Sequence, residues 1–61
     1  VADSKLEQDI LELLSIEELH IDELVVKLAI PVAELSATLI GMEMKGMVRD
    51  VGGGKYGIGK K

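Results

Sequence analysis

Hydrophobic positions along this chain fall into three helical stripes, followed by an alternating stretch split by glycines. Leu6, Ile10, Leu13 and Leu14 recur at the spacing of one helix face, and Ser4 with Glu7 forms the S-x-x-E pattern that caps a first turn. The spacing predicts a first helix over about residues 5–15. Leu19-His20-Ile21 reads as a short extended piece. Ile21, Leu24, Val25 and Leu28 then repeat at i, i+3, i+4 and i+7, and Asp22 and Glu23 set negative charge against the dipole of a short second helix. Pro31 lacks an N–H and disfavours helix at Ile30, so it ends this helix and opens a third. Val32, Leu35, Leu39 and Met42 form the third helix's inward stripe, and Gly46 stands where a left-handed cap would stop it.

Beyond Gly46 the period changes from helix to strand. MVRDV alternates, Gly52-Gly53-Gly54 supplies the positive φ of a tight hairpin, and KYGI returns. The order is helix, short strand, helix, turn, helix, strand, wing, strand. The expected fold class is therefore mainly α with a small β-hairpin, a winged helix-turn-helix of three helices and a short antiparallel sheet. The domain is expected over residues 5–58, preceded by a linker remnant at 1–4 and followed by a basic tail at 59–61. VADSK, opening on Val1, reads as the tail of a linker, which suggests a module of a longer protein.

Composition narrows the chemistry. A 61-residue chain with no Cys, Trp or Phe has neither a disulfide nor a cysteine-ligated zinc to staple it, so its stability rests on a few aliphatic side chains. The longest apolar run, Leu28 to Ala33, contains Pro31 and is far shorter than the roughly 20 residues of a membrane span. No membrane association is expected, and a cytoplasmic location fits the absence of cysteine. The net charge of −4 argues against a strong stand-alone nucleic-acid binder. The charge is uneven: residues 1–46 hold ten acids against Lys5, Lys27 and Lys45, a balance of −7. Residues 47–61 hold Arg49, Lys55, Lys60 and Lys61 against Asp50, a balance of +3.

Laid out in this way, the chain resembles the C-terminal winged-helix domain of the DNA processing protein A family, also called Smf or DprA. The resemblance spans about Leu6 to Gly57 and is carried by ILELLS at Ile10–Ser15, HIDEL at His20–Leu24, IPVAELS at Ile30–Ser36 and GMVRDVGGGKY at Gly46–Tyr56. General winged-helix regulators share the wing and the Leu39 to Gly46 spacing, but commonly carry polar residues where this chain has Ile40 and Met44. The resemblance implies a bacterial cytoplasmic protein of natural transformation. Its separate Rossmann-like domain would bind incoming single-stranded DNA and help to load a recombinase of RecA type. The expected partners are the rest of such a parent chain, a second copy of the domain, that recombinase by way of the parent, and DNA in a weak contact.

The third helix in such a fold often enters the major groove. Its outward side here carries Ala33, Ala37, Ile40, Gly41 and Met44, with no Arg, Asn or Gln for bidentate contact with base edges. Ser36, Thr38 and Lys45 flank that face and are candidates for phosphate contact. Arg49, Lys55, Lys60 and Lys61 are candidates from the wing side, against the plainer reading of solvated cations at a chain end. Ala33, Ala37 and Gly41 follow i, i+4, i+8, and with Ile40 and Met44 they form a candidate protein interface; the alternative is that Ile40 and Met44 pack inward on helix one or the sheet. Tyr56 reads as a packing residue and His20 as a helix cap. No nucleophile and base constellation, metal-ligand set or phosphate loop stands out, so no catalytic residues, metal or cofactor are expected. The expected function is a non-catalytic accessory winged-helix module in DNA processing. The alternative is the DNA-reading domain of a transcription regulator.

Overall fold

The computed structural model describes residues 4–59. Six elements follow one another: α1 (Lys5–Ile16), β1 (Leu19–His20), α2 (Ile21–Leu28), α3 (Val32–Met44), β2 (Val48–Gly52) and β3 (Lys55–Ile58). Ser4 caps α1, its Oγ accepting from the Glu7 N–H at 3.2 Å. The Glu7 carboxylate also takes Lys45 Nζ at 3.4 Å, which ties the start of α1 to the end of α3. At α2 the cap is reciprocal. His20 Nδ1 accepts from the Asp22 N–H at 3.0 Å, and the His20 N–H donates to Glu23 Oε1 at 2.9 Å. His20 is thus the helix cap its position suggested.

The turn between α2 and α3 is Ala29-Ile30-Pro31, and the two helices meet at 115°. Such an angle and turn length define a helix-turn-helix. Ala29 holds φ 56°, the left-handed region that glycine adopts most readily, and its N–H donates to the Val25 carbonyl. Pro31 stands at the N-cap of α3 with no side-chain cap, so the fixed φ of proline shapes this start. At the other end of α3, Gly46 (φ 80°) donates its N–H to the Glu43 carbonyl, and the Met47 N–H reaches back to Met42. These two bonds form a Schellman motif, which satisfies the last carbonyls of the helix and turns the chain into β2.

The sheet has the order β1-β3-β2 and is antiparallel throughout. Gly53 and Gly54 turn the hairpin with φ of 63° and 80°, the positive pair that a type I′ turn requires. A bulge between Asp50 and Gly52 adjusts the register, with Asp50 Oδ1 accepting from the Gly52 N–H at 2.8 Å. The Gly59 N–H donates to the Met47 carbonyl at 3.0 Å and holds the end of β3 against the start of β2.

The core consists of Ile10, Leu14, Leu19, Leu24, Leu35, Leu39, Met42 and Val48, with no buried polar or charged side chain among the described residues. Each such side chain contributes about 1.5–3 kcal/mol by leaving water. Tyr56 packs against this core from β3. Val32 departs from the expected inward stripe, since it is 53% exposed. It is the first residue of α3, and the core-facing line of that helix starts one turn later, at Leu35.

Candidate functional site

The outer side of α3 is where a winged helix would meet a ligand. Ala33 and Ala37 are exposed there, Ile40 is 56% and Met44 84% exposed, and Gly41 is half-buried with open space where a side chain would project. Ile40 and Met44 therefore do not pack inward on α1 or the sheet. Leu35, Leu39 and Met42 fill the interior from the opposite side of the same helix, which is thus apolar on both sides. The outer face offers no donor fork for a base pair.

The candidate phosphate-binding residues do not converge. Ser36 is half-buried, and Thr38 Oγ1 donates to the Glu34 carbonyl at 2.9 Å within its own helix. Lys45 faces Glu7. Arg49 is exposed on β2 and donates Nε to the Ile58 carbonyl at 3.3 Å, while Lys55 is exposed at the start of β3. Lys60 and Lys61 lie outside the described residues.

The register sorts the sheet's two faces. Leu19 opposes Tyr56 and Val48 opposes Ile58, and these face the core. The outer face carries His20 opposite Lys55 and Arg49 opposite Gly57. Glu18 lies over Gly57, where a Cβ would meet its Cγ at 3.1 Å. Arg49 and Lys55 therefore share their face with a carboxylate, which lowers the positive potential an approaching phosphate would feel. The Tyr56 hydroxyl is held above its ordinary pKa by partial burial and then by Asp50 and Glu43, so it stays neutral as a packing residue.

His20 is engaged in capping α2, and its ring lies against the wing, where a Cβ on Gly54 would come within 2.9 Å of Nε2. Among the described residues no group of three His, Asp or Glu side chains is placed to hold a metal ion. No single helix among the described residues is long and apolar enough to cross a membrane.

Two further aliphatics, Ile16 and Val26, which lie outside the expected interface, are exposed at 80% and 78%. Their signal in the sequence was partial: each stands off the stripe of its helix, but so does Leu11, which packs against the core. The left-handed Ala29 carried no such signal, because alanine does not mark that conformation.

Three helices with a helix-turn-helix angle, closed by a three-stranded antiparallel sheet with a glycine hairpin, define the winged-helix class. Within that class, the family model for the DprA winged helix domain matches residues 1–54. The chain belongs to the DprA winged helix domain family, and hence to a DNA-processing type of winged helix. No curated protein and no solved structure gave a significant match.

Proposed function

We propose that this domain is a non-catalytic accessory module of a DprA-like DNA-processing protein acting in DNA uptake and natural transformation. It contributes protein contact through the outer face of α3 and at most weak, non-specific DNA contact through Arg49, Lys55 and the terminal lysines. The rest of the parent chain, with its Rossmann-like domain, or a second copy of the module covers that face. A RecA-type recombinase is reached only through the parent. One observation carries this reading: the helix placed for reading bases exposes Ala33, Ala37, Ile40 and Met44, side chains that gain from leaving water and have nothing to offer a base edge.

Sedimentation of the wild type beside Ala37→Glu, alone and in the parent protein, tests the interface. An altered assembly in the variant supports the reading, and unchanged assembly in both settings removes it. A salt titration of duplex and single-stranded DNA binding tests the other half. Tight, sequence-dependent duplex binding at physiological salt would instead establish the DNA-reading domain of a transcription regulator.

A further inference from the structure

A second apolar surface lies away from α3. Ile16, at the end of α1, and Val26, in α2, are both more than three-quarters exposed. An open groove of about 370 Å³ runs between these helices, lined by Leu13, Ile16 and Leu28 together with Asp9, Glu12 and Lys27. It shares Lys27 with a neighbouring depression formed by Val26, Asp22 and Glu23. The aliphatic surface is thus bordered by four carboxylates and one ammonium. Asp9 shares its charge with Lys5 Nζ at 2.9 Å.

We infer that this groove receives a basic amphipathic helix from a protein partner. Leu13, Ile16 and Leu28 take apolar side chains spaced at i, i+3 and i+4, while Glu12, Asp22 and Glu23 face the lysines or arginines that flank such a stripe. Charge selects this occupant over the others. Nucleic acid and anionic membrane would meet a negative border. A second copy has no suitable helix to offer, because acids outnumber lysines in α1 and α2, and α3 holds Glu34 and Glu43 with no cation. The surface is separate from the α3 face, so the inference does not depend on the function proposed for that face.

Titration of the isotope-labelled chain with a Leu/Lys amphipathic peptide of about 18 residues, five helical turns, tests it. A Leu/Glu counterpart and a scrambled Leu/Lys peptide with no apolar stripe serve as controls. The expected result is saturable binding of the first peptide alone, with amide shifts centred on Leu13, Ile16, Val26 and Leu28. Ile16→Ser should weaken binding by about tenfold, as loss of a central anchor does. Glu12→Lys should weaken it by at least about threefold. Both positions are exposed, so the fold is retained, which circular dichroism checks. Ala37→Glu should leave peptide binding unchanged, whatever it does to assembly. Equal binding of the scrambled peptide, shifts centred on α3, self-association through Ile16, or an Ile16→Ser variant that binds normally would each overturn the inference.

Discussion

The two sides of α3 hold similar residues and serve opposite ends. Leu35, Leu39 and Met42 are fully buried, while Ile40 and Met44, one or two positions away, stand in solvent. Hydrophobicity alone does not separate them, since each side presents large aliphatic or thioether groups to whatever lies opposite. The difference is set by what the rest of the chain brings: α1, α2 and β2 cover one side, and none of them reaches the other. This apolar helix face, left outside, is the observation on which the proposed protein contact rests. The polar flank of α3 teaches the same point, because Thr38 and Lys45 are engaged within the domain by Glu34 and Glu7.

Substitutions on the two sides should separate sharply. Leu39→Ala removes a fully buried side chain and should cost about 2–5 kcal/mol, a large share of the stability of so small a domain. Urea denaturation should show a lowered midpoint. The inside-outside contrast fails if Leu39→Ala unfolds no earlier than the wild type. Gly46→Ala comes next. There is room for the added methyl group, so its cost of about 1–2 kcal/mol is that of a left-handed alanine alone. A thermal midpoint equal to wild type would mean that the Schellman turn relaxes into another conformation.

Ala29→Gly should act in the opposite direction at the C-cap of α2. Relief of the left-handed alanine returns about 1–2 kcal/mol, and the greater freedom of glycine in the unfolded chain takes back about 0.5–1 kcal/mol. A net gain of about 0.5–1 kcal/mol should appear as a raised urea midpoint, and a loss would show that the turn is not strained. Met44→Ser is the smallest case. The exposed side chain contributes little to the isolated fold, so stability should change by no more than about 0.5 kcal/mol. A loss above that would place Met44 in the core and erase the contrast between the two sides.

Much of this architecture is legible in the residues because its rules are local. Ser4 and His20 as caps, the break at Pro31, the stop at Gly46 and the glycine hairpin each follow from a backbone group needing a partner or from a φ that few residues adopt. The inward line of α3 was readable from Leu35 onward but not at Val32, where the helical period continues past the point at which the core ends. The candidate surface was legible as a list of outward residues on α3. Its exposure was not, because periodicity places Ile40 and Met44 on a face without saying whether another element covers it.

By itself the sequence determined the order of elements, most of their caps and turns, the membership of a winged-helix family and the acidic body with its basic end. Those properties reside in short stretches of chain, where neighbouring residues settle the outcome. Only the tertiary structure decided that Lys45 meets Glu7, that Glu18 lies on the same sheet face as Arg49 and Lys55, and that Ala29 takes the left-handed turn. It also decided that Ile16, Val26, Ile40 and Met44 remain outside. Each of these depends on which distant elements share the limited space around one small core, and no local pattern encodes that competition.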